Sequence, residues 1–157
     1  MNTVDVSTEV AEPPDWLPDT QTIVSRVLDA INEESYEVSV LLCDDERIAE
    51  INHHYRGVDG PTDVLTFSQN EGDPIPGPEN EGLRGDIVVS LDSVATSAAG
   101  LGIDVRTEFI RVLTHGVLHL AGYTHEGVTL ADPGASDHAM LRLQEEITRA
   151  LEKEQDK

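Results

Sequence analysis

Two histidines, His115 and His119, stand four residues apart in a run that reads His115-Gly-Val-Leu-His119-Leu-Ala-Gly-Tyr-Thr-His125. On a helix that spacing stacks both rings on one face, one turn above the other. Leu113, Val117, Leu118, Leu120 and Ala121 surround them, which suits a buried helix. Gly122 offers a helix-ending position, after which the chain can turn and bring His125 back towards the first pair. Three neutral imidazoles converging in this way hold a tetrahedral zinc and leave its fourth position open for water or substrate.

The spacing also resembles the zinc peptidase pattern H-E-x-x-H, but Gly116 occupies the place of the glutamate. Such peptidases use that glutamate as the proton acceptor for metal-activated water. Its absence counts against a peptidase and leaves the metal reading intact.

Composition narrows the remaining choices. The 157 residues are the size of one domain, residues 1–157. No apolar run approaches the ~20 residues of a membrane span, and Met1–Val6 lacks the basic and apolar regions of a signal peptide. Cys43 is the only cysteine, which excludes an internal disulfide and cysteine-rich zinc sites and fits a reducing cytoplasm. The net charge of −21 sets 31 acidic residues against 10 basic ones, of which only Lys153 and Lys157 are lysines. That surface has no general attraction for nucleic acid, and it suits a salt-rich interior in which repulsion is screened.

The elements that must position the histidines follow from periodicity. Val4 and Val6 alternate as in an edge strand, and Pro13, Pro14 and Pro18 punctuate a turn around Trp16. Ile23, Val24, Val27, Leu28 and Ile31 form a helical stripe, and Val38, Val40 and Leu42 a strand. Asp44 can cap the next helix, whose buried side is expected to be Ile48, Ile51, Asn52 and Tyr55 and whose end is near Gly57. Val64–Phe67 and Gly85–Ser90 read as strands, separated by a loop rich in glycine, proline and acid. A small-residue helix is expected from Asp92 to Ala99, ending at Gly100. Asp104 can cap the histidine helix, and Met140, Leu143, Ile147 and Leu151 mark the last one. The order predicts an α+β fold, a single mixed sheet of about four strands packed with about five helices around a central metal-binding helix.

Three stretches together resemble one family. The histidine run, Tyr55-Arg56 followed by Pro61-Thr62-Asp63-Val64-Leu65-Thr66-Phe67, and Gly85-Asp86-Ile87-Val88-Val89-Ser90 are similar to the signatures of YbeY, the bacterial ribosomal RNA maturation endoribonucleases. The likeness covers residues 36 to 150 in order, with two departures. Thr124 stands where the family usually has aspartate, a residue able to steady a histidine ring or loop, and Ser68 where it commonly has proline. The resemblance implies a zinc-dependent, single-strand-specific endoribonuclease that trims ribosomal RNA and acts on ribosomes or small-subunit assembly intermediates. It carries His115, His119 and His125 over as ligands of one zinc ion (Zn2+), and Arg56 as a catalytic or phosphate-contacting residue. An arginine there can hold a phosphate by paired hydrogen bonds, or else pair with a nearby acid such as Asp59.

The other tempting residues fare less well. His53 and His54 are adjacent on a helix and cannot both face one site, and His138 near the last helix suits a surface or core role. Asp63 and Asp86 can serve as bases, but turn and strand-end hydrogen bonding accounts for them equally. Two rivals stay open: a zinc hydrolase of small molecules or peptides, and a ribosome-assembly factor whose zinc is structural and closed by four protein ligands.

Overall fold

A computed structural model of the chain describes residues 2–31, 36–68, 84–121 and 139–155. In chain order the elements are β1 (Thr3–Thr8), α1 (Thr20–Ala30), β2 (Glu37–Cys43), α2 (Asp45–Arg56), β3 (Val64–Ser68), β4 (Arg84–Ser90), α3 (Leu91–Leu101), α4 (Val105–Leu120) and α5 (Ala139–Gln155). The strands form one mixed sheet in the order β1-β2-β4-β3. β1–β2 and β2–β4 are parallel, and β3 runs antiparallel along the edge of β4. The α+β architecture expected from the order of elements is the one observed.

Because side chains alternate along a strand, the register assigns each residue to a face. Val4, Val38, Val40, Leu42, Ile87 and Val89 point to one side and pack with apolar residues of α1, α4 and α5. Phe109, Leu113 and Leu118 of α4 are fully buried there, so α4 is the central helix of that layer. Trp16 meets Phe109 edge-on at 5.7 Å and fastens the proline-rich segment to it. On the opposite side Cys43, Leu65 and Val88 pack against Ile48 and Ile51 of α2. The sheet therefore separates α4 from α2, and β3 is the edge around which the two faces meet.

Helix ends follow the cap chemistry. Asp44 accepts from the Arg47 amide at 2.8 Å and Asp104 from the Arg106 amide at 2.8 Å, each meeting a donor that the helix leaves orphaned. α2 stops where Gly57 turns left-handed at φ 66°, its amide reaching the His53 carbonyl. The expectation that α3 ends at Gly100 needs correction. The helix continues through Gly100 to Leu101 and closes at Gly102, φ 69°, with Ile103 bonding back to the Ala98 carbonyl. Two glycines two residues apart offered the same signal, and the one that completes this cap is the second.

Tyr55 is a second correction. It continues the α2 stripe by spacing but is 67% exposed, whereas Ile48, Ile51 and Asn52 are buried. In the last turn of α2 the Tyr55 ring meets Phe67 of β3 and the neighbouring His54 edge-on, and most of its surface stays in solvent. No helix among the described residues is long and apolar enough to cross a membrane.

Candidate metal centre

His115 and His119 lie in the last two turns of α4 with their rings stacked at 30° and their centroids 6.5 Å apart. His115 is half-buried and His119 exposed. Each ring is held by its Nδ1. The His115 Nδ1 lies 2.8 Å from Oε1 of Gln144 on α5. Gln144 donates its own Nε2 to Glu145 Oε2 at 3.2 Å, and that carboxylate also accepts from Arg111 Nε at 3.0 Å. The amide is thereby oriented with its oxygen towards the ring, so His115 Nδ1 must be the protonated nitrogen and Nε2 the lone-pair nitrogen. The His119 Nδ1 lies 3.1 Å from the Thr66 hydroxyl of β3, a group able to donate to it or accept from it. Metal-binding histidines are commonly hydrogen-bonded through one ring nitrogen in this way. Two imidazoles are donors of the kind zinc takes.

His125 lies outside the described residues, as do Gly122, Thr124 and His138. Among the described residues no three side chains of the metal-binding types are grouped to hold an ion; the pair on α4 is what the structure brings together.

Gly116 explains the missing glutamate. A Cβ at this position would lie 3.3 Å from Ile87 Cγ2 and 3.4 Å from Thr66 Cγ2. The residue after the first histidine therefore faces the sheet, not the ring pair, and only a very small side chain lets α4 pack that close. Gly116→Glu should cost about 3–5 kcal/mol by overpacking and burying an unpaired carboxylate, and it should confer no peptidase activity. Urea unfolding tests this; wild-type stability in the variant would contradict the packing argument.

Beside His115 opens a cleft of about 370 Å³ lined by Thr62, Asp63, Glu108, Arg111 and Gln144 among others. Arg111 bridges Glu108 at 3.1 Å and Glu145 at 3.0 Å, so its charge is committed to structure. Burial pushes the Glu108 carboxyl above its ordinary value, and Arg111 offsets only part of that effect. Of the two candidate bases, Asp63 shares this cleft with His115, whereas Asp86 lines a groove on the α2 side of the sheet.

Arg56 is the last residue of α2 and is exposed. It makes no ion pair among the described residues, and the acid suggested as its partner, Asp59, is held instead by His53 Nδ1 at 2.8 Å. Asn52 ties down the following turn by donating to the Gly60 carbonyl at 3.0 Å. The helices that carry Arg56 and the histidines, α2 and α4, pack on opposite faces of the sheet, and both reach β3 at adjacent residues: Thr66 touches His119, and Phe67 packs against Tyr55, the residue before Arg56. His53 and His54 are both exposed on α2, away from the α4 pair. Cys43 takes no part; burial first, and the Glu9 carboxylate next, push its thiol up to about 12, so it is inert at neutral pH.

Sequence reasoning missed Gln144 and Thr66 as ring-holding partners. Thr66 lay inside a recognised motif, but nothing in its spacing pointed to His119. Gln144 sits 29 residues from His115, and only the packing of α5 on α4 reveals it.

The chain is similar to known proteins in sequence and in fold. The family model described as endoribonuclease YbeY matches residues 5–152. A Treponema pallidum protein named endoribonuclease YbeY is 39% identical over 151 residues, covering 94% of this chain and 88% of its own. A Treponema denticola protein of the same name is 36% identical over 138 residues, covering 87% and 85%. The solution structure of TM1509 from Thermotoga maritima superposes with a TM-score of 0.57 at 25% identity, over 97% of this chain and 93% of that one.

Proposed function

The chain belongs to the YbeY endoribonuclease family, and from that premise we propose that it is a zinc-dependent, single-strand-specific endoribonuclease of ribosomal RNA maturation and ribosome quality control. One catalytic domain spans residues 1–157 and works in the cytoplasm on single-stranded ribosomal RNA within ribosomes or small-subunit assembly intermediates. The observation that supports the metal reading is the pairing of the two rings one helical turn apart, each hydrogen-bonded at Nδ1, His115 to Gln144 and His119 to Thr66; Nε2 would be the ligating nitrogen. His115, His119 and His125 would hold the ion, and Arg56 would contact the scissile phosphate. The chemistry a bound zinc supplies is polarisation of a phosphoryl oxygen and a lowering of the pKa of water to roughly 7. The protein's part is positional. Gln144 and Thr66 fix the rings, and Arg56 stabilises the charge that builds on the phosphate.

Metal analysis of the purified protein, with cleavage assays on single-stranded and duplex RNA, tests the reading. Zinc near one equivalent and metal-dependent cutting of the single strand are expected. Cutting that survives zinc removal, or zinc without any cutting, would overturn it. Gln144→Leu should weaken zinc binding by about 10- to 100-fold, as losing a ring-orienting partner does. A chelator competition reads this directly, and unchanged affinity would show that the Gln144 contact does not serve the metal.

A further inference from the structure

Tyr55 projects from the last turn of α2 with 67% of its surface exposed, yet its ring is not loose. Phe67 meets it edge-on at 5.4 Å and 60°, and His54 at 4.6 Å and 88°. Tyr55 stands between the other two rings and touches both. Tyr55 and Phe67 border a groove of about 410 Å³ on the side of the sheet that α2 only partly covers. Ile51, Phe67 and Val88 supply apolar wall, and Ser7, Ser39 and Asp86 supply polar groups. Arg47, also at the groove, is engaged by Glu9 at 3.2 Å and Glu50 at 3.2 Å. The groove therefore has an aromatic mouth, small polar groups within, and little positive charge to offer a phosphate.

A ribonuclease of net charge −21 cannot rely on phosphate neutralisation for its grip, because general electrostatics repels the substrate. Stacking on an aromatic ring is insensitive to that repulsion and accepts any base. We propose that Tyr55 is a base-stacking residue, on which an unpaired RNA base rests with its edge directed into the groove between α2 and the sheet. The proposal rests on the ribonuclease reading above and names the part of the substrate that the protein holds. A strand seated there needs only to pass over the β3 edge, from the Phe67 side to the Thr66 side, to reach His119. It also supplies a physical source for single-strand preference, since a duplex keeps its bases stacked and unavailable.

The test compares two single-stranded probes of equal length, an oligodeoxyadenylate, which carries bases but is not a ribonuclease substrate, and an abasic phosphodiester strand. Each is titrated into the zinc-loaded full chain as wild type, Tyr55→Ala and Tyr55→Phe, with anisotropy as readout. Tyr55→Ala should bind oligodeoxyadenylate about 5- to 150-fold more weakly, the span measured for loss of one stacking aromatic. Tyr55→Phe should retain wild-type affinity, and the abasic strand should bind all three proteins alike. Equal affinity of wild type and Tyr55→Ala for the oligodeoxyadenylate would overturn the proposal, as would an equal loss on the abasic strand. Tyr55→Trp gives a check independent of any change in fold, because its emission should be quenched by the bound base; no quenching at saturation would overturn it. RNA cleavage by the wild type, measured in parallel, separates the two readings. Cleavage with no effect of Tyr55→Ala on binding rejects stacking alone, whereas a stacking effect without cleavage supports stacking and rejects the nuclease.

Discussion

His119→Ala should abolish both stoichiometric zinc and RNA cleavage while leaving the fold in place. The ring is exposed and meets the Thr66 hydroxyl at 3.1 Å, so its removal opens no cavity in the core. Loss of one ligand from the proposed set of His115, His119 and His125 would leave a two-ligand remnant, and zinc content should fall from about one per chain to a small fraction of that. His53→Ala is the matched control: also exposed, also a histidine at a helix end, but paired with Asp59 on the other side of the sheet. It should keep its zinc. His138→Ala should do the same. Metal analysis after dialysis, with circular dichroism to confirm folding, reads the contrast. Equal zinc in His119→Ala and His53→Ala would end the assignment of the α4 pair.

The sequence revealed this pair because helical spacing is a local rule. Residues four apart share a face whatever the rest of the chain does, and His115 and His119 are found stacked at 30°. The caps at Asp44 and Asp104 were legible for the same reason, since each side chain reaches an amide only two or three residues ahead. Alternation also placed Val38, Val40 and Leu42 on one buried face. What periodicity could not supply was the identity of the surface opposite. Tyr55 fits the α2 stripe as well as Ile51 does, but it meets the sheet only at the edge of Phe67 and stays largely exposed. Gly116 looks like a defect in a metal motif until Ile87 and Thr66 are seen 3.3 and 3.4 Å from where its Cβ would be. The strand order β1-β2-β4-β3 depends on crossovers between distant segments, and Gln144 on the register of α5 against α4. These are tertiary facts, and no local window contains them.

Arg56→Ala should lower RNA cleavage by about 10²–10³-fold, the effect of removing one donor from a developing anionic charge, with zinc and fold retained. The expectation combines family resemblance with three features of its setting. Gly57 ends α2 immediately after Arg56, and Asn52 pins the turn that follows through Gly60 at 3.0 Å, so the backbone bearing the guanidinium is fixed. Among the described residues no carboxylate claims it, whereas Arg47 and Arg111 are each held by two. Finally, Arg56 follows Tyr55 directly, on the α2 side of the strand whose other side bears the Thr66–His119 contact. If the guanidinium contacts the scissile phosphate, a minimal phosphodiester carries the group it acts on as fully as an oligonucleotide does. Loss of activity in Arg56→Ala should accordingly appear on both substrates. Arg56→Lys should recover little, because a point charge cannot reproduce the planar two-donor fork. A merely structural arginine would show the reverse, with a lower melting temperature and unchanged turnover per folded molecule. Steady-state cleavage of both substrates, beside a thermal melt and a zinc determination on each variant, decides between them.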